Sequence, residues 1–248
     1  MPSERVQPVQ AVVLAGGLGT RLRPYTFTVP KPLLPLGDRP LLDHIIAHLV
    51  RSPVREIILA LGYQADLIRA YCGDGTRFDI PIRYVQESRP LGTAGCLALA
   101  RPLLDPTAPF ILMNGDIVTT LDFARMLAFH RDRDAWLTVG YIEHRQQSAF
   151  GVLQLDGDEI VGIVEKPTTV QPVSAGIYVL SPAAAALVPA DTVMTVPELA
   201  LATRAAGGRV LAYRIDEFWR ALETQDHFEE LLNDETVRRA AGVGGGAS

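Results

Sequence analysis

Lysine occurs at two positions in this sequence, Lys31 and Lys166, although lysine and arginine together number 23. Both lysines precede proline, in Val29-Pro30-Lys31-Pro32 and Glu165-Lys166-Pro167. An ammonium is a compact charge on a flexible stem, whereas a guanidinium is a wide planar fork. A chain that uses arginine elsewhere and keeps lysine beside proline suggests two ammonium groups serving a crowded anion, the alternative being chance in a biased genome. Leu14-Ala15-Gly16-Gly17-Leu18-Gly19-Thr20-Arg21-Leu22 points to the same ligand. Glycines let backbone N–H groups converge on phosphate oxygens with no Cβ in the way. A dinucleotide fingerprint would need glycine where Leu22 stands, and a Walker loop would need Gly-Lys-Ser/Thr, so neither applies. Arg21 adds a phosphate clamp, and the prolines around Lys31 hold that segment extended. Asn114-Gly115-Asp116 ends an apolar strand, where one aspartate serves either a turn or a divalent cation. No Ser/His/Asp arrangement accompanies these groups. The chemistry they suit is electrostatic handling of phosphates.

The elements that position them alternate in the first half. Val9 to Leu14, Glu56 to Leu61, Ile82 to Gln86 and Phe110 to Met113 read as strands. Leu41 to Val50, Ala65 to Tyr71 and Gly95 to Leu104 read as helices between them. That order predicts βαβ units on a mostly parallel sheet, with ligands beyond the carboxyl ends of its strands. Further strands are expected over Trp136 to Ile142, Gly151 to Leu155, Ile160 to Val164, Ala175 to Leu180 and Val210 to Ile215. Helices are expected over Pro197 to Ala206 and Gln225 to Leu232. His44 and His48, four residues apart, are assigned to a solvated helix face, and Arg131-Asp132-Arg133-Asp134 to an exposed loop.

A length of 248 residues suffices for one well-cored α/β domain, and 48% hydrophobic residues argue against disorder. Net charge of −5 provides no field for nucleic acid or an anionic membrane. No apolar stretch approaches the roughly 20 residues of a membrane helix, and the polar start is unlike a signal peptide. Cys72 and Cys96 form no close-spaced pair. A cytoplasmic protein is expected.

Leu-Ala-Gly-Gly-x-Gly-Thr-Arg-Leu-x-Pro followed by Pro-Lys-Pro-Leu-x-Pro resembles the opening signature of sugar-1-phosphate nucleotidyltransferases. Further matches run in family order: Pro90-Leu91-Gly92-Thr93-Ala94-Gly95, Asn114-Gly115-Asp116, Phe150-Gly151-Val152, Val164-Glu165-Lys166-Pro167 and Ser174-Ala175-Gly176-Ile177-Tyr178. The resemblance implies a Rossmann-like α/β three-layer sandwich with a mixed, mostly parallel sheet. It implies one domain over residues 1–236, divided near residue 120 into nucleotide and sugar halves, with a flexible tail over 237–248. Leu14, Ala15, Gly16, Gly17, Gly19 and Thr20 would hold the nucleotide, with Gln86, Gly92 and Thr93 on the base side. Arg21 and Lys31 would serve the triphosphate, Lys166 would hold the attacking sugar phosphate, and Asp116 would bind Mg²⁺. Asn114, Gly151, Glu165 and Ser174 would form the sugar side, with Ser174 where many members carry asparagine.

The family resemblance also carries one departure. Phe218-Trp219-Arg220-Ala221-Leu222-Glu223-Thr224 aligns with a segment usually reading Trp-x-Asp-x-Gly-Thr, whose aspartate is a second metal ligand. Here Ala221 takes that position and Glu223 the glycine's. Three accounts stay open: Glu223 substitutes, Mg²⁺ rests on Asp116 and phosphates, or catalysis is weakened or lost. The loop and strand motifs look most similar to mannose-1-phosphate guanylyltransferases. This favours GTP and a mannose-like or heptose-like 1-phosphate as partners. Thymidylyl, uridylyl or cytidylyl transfer to another sugar, cyclitol or alcohol phosphate, and a noncatalytic nucleotide-sugar-binding regulator, remain alternatives. A homo-oligomer is compatible with the sequence, which has no hexapeptide period of a β-helix tail.

Overall fold

The computed structural model describes residues 7–224. The helix expected over Gln225 to Leu232 and the tail over 237–248 lie outside the described residues.

The chain begins with β1 (Val9–Leu14), and the short paired strands β2 (Pro35–Leu36) and β3 (Arg39–Pro40) lead into α1 (Leu41–Val50). Alternation follows: β4 (Val54–Leu61), α2 (Ala65–Cys72), β5 (Ile82–Gln86), α3 (Gly92–Ala100) and β6 (Phe110–Asn114). Next come β7 (Ile117–Thr119), α4 (Phe123–Asp132) and the long β8 (Ala135–Gln147). A hairpin of β9 (Val152–Asp156) and β10 (Glu159–Val164) precedes β11 (Thr168–Leu180). The described chain closes with α5 (Pro182–Ala186), α6 (Val196–Ala205), β12 (Arg209–Arg214) and β13 (Trp219–Ala221).

The central sheet has 7 strands in the order β12-β8-β11-β6-β1-β4-β5. β1 pairs parallel with β4 and β6, and β4 pairs parallel with β5. Only β11 runs against the rest, antiparallel to β6 and β8, while β12 pairs parallel with β8. The expected mixed, mostly parallel sandwich is therefore present. Alternate residues of β1 face opposite cores, Val9, Ala11 and Val13 one way and Val12 the other. α1, α2 and α4 cover the first face; α3, α5 and α6 cover the second. From β1 the chain winds outward through β4 and β5, then returns to β6 on the other flank of β1. Such a reversal opens a crevice beyond the strand ends. The glycine loop after β1 and the Asn114-Gly115-Asp116 turn after β6 both stand there.

Several expectations change. α3 starts at Gly92, not Gly95, because Gly92 with φ of +77° carries the chain into the helix. Arg131 and Asp132 close α4 instead of lying in a loop, a helix capped by Asp122, whose carboxylate accepts from the Ala124 and Arg125 amides. The histidine face of α1 is covered, not solvated. His44 Nε2 meets the Leu36 carbonyl at 2.8 Å and His48 Nε2 meets the Leu121 carbonyl at 2.9 Å. The β2–β3 hairpin and the chain after β7 thus pack on that face and supply acceptors. Burial lowers both imidazole pKa values, against the pull of those carbonyls. Among the described residues, no helix is long and apolar enough to cross a membrane.

Candidate active site

A cleft of about 540 Å³ opens at the crevice, a size suited to a small-molecule ligand. Its floor is the loop from Leu14 to Leu22. The Ala15 amide bonds the Ala60 carbonyl at 2.8 Å, and the Leu22 amide bonds the Gly19 carbonyl at 2.9 Å. Between these anchors the amides of Gly16, Gly17, Leu18, Gly19 and Thr20 have no protein acceptor among the described residues. Unpaired N–H groups turned into a cleft form a fixed partial positive charge for an anion.

Gly16 and Gly115 are among the glycines required sterically. A Cβ on Gly16 would come within 2.8 Å of the Gly62 nitrogen, and one on Gly115 within 2.4 Å of the Leu14 carbonyl oxygen. Gly62 was not singled out in the sequence; its place directly after β4 is the only sign that the loop presses on it. Gly19, with φ of +59°, turns the chain so that Thr26 Oγ1 donates to its carbonyl at 2.8 Å.

Charged side chains enter from three directions. Lys31, on a one-turn helix started by Pro30, donates through its ammonium to Asp116 Oδ2. Both side chains are largely buried, at 16% and 25% exposure. The other oxygen, Asp116 Oδ1, is buried without a hydrogen-bond partner among the described residues, as is Asn114 Oδ1. Arg21 Nη1 stands 3.4 Å from Glu223 Oε2 at the rim. Glu87 lines the opposite wall with Pro90, Gly92 and Thr93. Desolvation raises the Glu87 pKa, partly offset by the Leu91 amide.

Thus Leu14, Ala15, Gly16, Gly17, Gly19 and Thr20 line one cleft. Arg21, Lys31, Gly92, Thr93, Asn114 and Asp116 join them. Gln86 is not in the lining; it leans outward, where Arg69 Nη2 lies 3.4 Å from its oxygen, and the next residue, Glu87, takes the inward position. Strand alternation was the available signal, since neighbours on a strand end face opposite ways.

Gly151, Glu165, Lys166 and Ser174 also stand outside the lining. The first three share the β9–β10 arm: a Cβ on Gly151 would meet Glu165 Oε2 at 3.0 Å, and Lys166 adopts a φ of +44° where the arm turns into β11. Ser174 opens a register shift in β11 and shares a 3.0 Å hydrogen bond with the Tyr178 hydroxyl. Asn114 connects the two regions, its amide filling the space beside Gly176 so closely that a Cβ there would lie 2.6 Å from Nδ2. Trp219 Nε1 donates to the Ala175 carbonyl at 2.8 Å and fixes the same bulge. Burial pushes both free cysteine thiols, Cys72 and Cys96, up to about 12, leaving them protonated and unreactive at neutral pH.

The family described as Nucleotidyl transferase matches residues 10–197. The chain belongs to that family, in accord with the resemblance of its motifs to sugar-1-phosphate nucleotidyltransferases. It is 41% identical to the Danio rerio mannose-1-phosphate guanylyltransferase catalytic subunit beta over 181 residues, 71% of this chain and 50% of that protein. It is 34% identical to the mannose-1-phosphate guanylyltransferase of Mycobacterium tuberculosis (strain ATCC 25618 / H37Rv) over 227 residues, 89% of this chain and 62% of the relative. The chain thus spans 50% to 62% of the length of these curated relatives. HddC from Yersinia pseudotuberculosis, solved in complex with GMP-PN, superposes with a TM-score of 0.71 at 26% identity, covering 91% of this chain and 98% of that one.

Proposed function

We propose that this chain transfers a nucleoside monophosphate from a nucleoside triphosphate to a sugar 1-phosphate and releases pyrophosphate. GTP and a mannose-like or heptose-like 1-phosphate are the favoured pair. The observation that carries this reading is the meeting of Lys31 and Asp116 beside a loop of unpaired amides in one cleft. The activity of the two mannose-1-phosphate guanylyltransferase relatives favours guanine and mannose, and the GMP-PN held by HddC favours guanine.

The reaction requires little proton chemistry. A phosphomonoester has its second pKa near ~6, so the attacking sugar phosphate is largely ionised at neutral pH. The difficulty is bringing two polyanions together and stabilising charge on the α-phosphate and departing pyrophosphate. In the proposal, amides of Gly16 to Thr20 hold the triphosphate, and Lys31 and Arg21 neutralise it. Gly92 and Thr93 border the base; Thr93 Oγ1 is already fixed as acceptor for the Val196 amide at 3.0 Å. Glu87, which lines the cleft where Gln86 does not, would take the base-side place expected of Gln86. On the sugar side, Lys166 holds the nucleophilic phosphate, while Glu165, Gly151, Ser174 and Asn114 orient the ring.

The family generally uses a divalent metal, and the residues fit one. The unpartnered, buried Asp116 Oδ1 is a hard oxygen donor. Magnesium takes one or two carboxylates and completes its shell with water and substrate phosphate. When bound, the ion supplies charge neutralisation at phosphate oxygens. The protein residues supply position and the polar surroundings. A cytoplasmic location accords with this reading, since two free thiols are retained.

A matrix of nucleoside triphosphates against sugar 1-phosphates, read as pyrophosphate release with Mg²⁺, tests the proposal. Release should require both substrates and be fastest with GTP and mannose 1-phosphate. Silence across the matrix, with tight binding of a nucleotide sugar, would overturn it in favour of a regulatory binding protein.

A further inference from the structure

We infer that Glu223 is the second protein carboxylate for the divalent cation of this cleft, acting in place of the residue at Ala221. The inference rests on the cleft being a nucleoside triphosphate site, and deepens that reading.

Backbone geometry carries the argument. Ala221 pairs with Ile117 in the β13–β7 ribbon, and the next amide, Leu222 N–H, donates to the Asp116 carbonyl at 2.8 Å. That ladder leads residue 223 directly past the Asn114-Gly115-Asp116 turn. Leu222 is fully buried and Ala221 packs against the same core, whereas Glu223 is the residue of this stretch that reaches the cleft. Glu223 lines the cleft with Asp116, while Ala221 offers no donor.

Charge gives the reason for a second carboxylate. Lys31 occupies one oxygen of Asp116 and cancels its charge, leaving Oδ1 a neutralised and weakened anchor for a dication. Among the described residues, Glu223 is held by Arg21 alone, at 3.4 Å, with both side chains more than half exposed, at 71% and 51%. Exposed pairs of this kind are weak and release easily. Arriving phosphate would take Arg21 and arriving cation would take Glu223, so the pair separates onto opposite charges. Glu87, the other glutamate of the lining, stands with Pro90, Gly92 and Thr93, and its carboxylate already accepts from the Leu91 amide.

Mn²⁺ binding followed by electron paramagnetic resonance, on the chain loaded with GTP and without sugar phosphate, tests this. Glu223→Gln should weaken Mn²⁺ binding at least tenfold, while its metal-free GTP affinity holds or rises because Arg21 is freed. Glu223→Asp, which keeps the carboxylate, should lose less Mn²⁺ affinity than Glu223→Gln, a difference that a folding defect would not produce. Glu87→Gln should bind Mn²⁺ within about twofold of the parent. Unchanged Mn²⁺ affinity in Glu223→Gln, or an equal loss in Glu87→Gln, would overturn the inference while leaving the triphosphate site standing. Failure of the parent chain to bind GTP would overturn both.

Discussion

The Lys31 ammonium donates to Asp116 Oδ2, joining a proline-braced turn to the end of a central strand 85 residues further along the chain. The contact makes one cleft out of two separate motifs. It also leaves Asp116 with a single unpartnered oxygen, so the pair both fixes the carboxylate and limits what it can hold.

This pair should behave as a coupled unit. Lys31→Met leaves a largely buried carboxylate without its counterion and should cost about 1–3 kcal/mol of stability. Lys31→Met with Asp116→Asn should recover at least half of that loss, yet remain more than 100-fold slower in turnover. Urea unfolding of the two singles and the double variant gives the coupling energy. Additive losses would show that the pair does not act together.

Close backbone contact at Gly16 yields a steric prediction. Gly16→Ala drives a methyl to 2.8 Å from the Gly62 nitrogen and 3.1 Å from the Leu61 carbonyl carbon, neither of which can rotate away. A loss of about 1–3 kcal/mol is expected, together with weaker nucleotide binding. Gly17→Ala meets nothing within 4 Å and should unfold within about 0.5 kcal/mol of the parent. Equal melting behaviour of the two variants would contradict the packing described.

His130 predicts an acid-sensitive fold. It is 3% exposed, its Nδ1 shares a 2.9 Å hydrogen bond with Thr138 Oγ1, and burial lowers its pKa from 6.5 to about 4. Between these values the unfolded chain binds a proton that the folded chain refuses, so stability falls as pH drops through that window. The contribution of this side chain is full above 6.5 and exhausted below about 4, with a total of up to about 3 kcal/mol. Glu87, whose pKa is raised, works in the opposite sense but is present in both proteins compared. Unfolding free energy from pH 4 to 7 should therefore slope less steeply in His130→Gln. Parallel curves would remove His130 as the cause.

Lys166→Ala should reduce turnover more than tenfold while GTP affinity changes less than threefold, because this lysine stands on the β9–β10 arm, apart from the cleft lining. Lys166→Arg should recover only part of the rate, since a planar fork replaces a point charge. A smaller loss in Lys166→Ala would remove it from the proposed sugar-phosphate site.

Much of the parallel half could be read from residues because its strands are short apolar runs bounded by breakers. β1 and β5 match their expected limits, and α1 follows its apolar repeat. α4 escapes such a reading although Asp122 caps it and Phe123, Met126, Leu127 and His130 recur at helical spacing. A charged end disguises it as a loop. Burial of His44 and His48 could not be read from α1 alone, since it depends on which carbonyls the β2–β3 hairpin and the chain after β7 bring to that face. The glycine loop, Lys31 and Asp116 were legible because their chemistry is local in type. The Gly16–Gly62 contact arises only where distant strands meet, whereas strand alternation could have pointed to Glu87 over Gln86, and the sequence left Glu223 as one of three accounts that the shared cleft lining now favours.

The central claim is that this cleft moves a nucleotidyl group onto a sugar phosphate. Following GTP labelled at the α-phosphate, and separately at the γ-phosphate, tests it most directly. With mannose 1-phosphate and Mg²⁺, the α-label should appear in a nucleotide sugar and the γ-label in pyrophosphate at equal rates. If the same tracing across other triphosphates and sugar 1-phosphates yields no labelled nucleotide sugar, the account is contradicted.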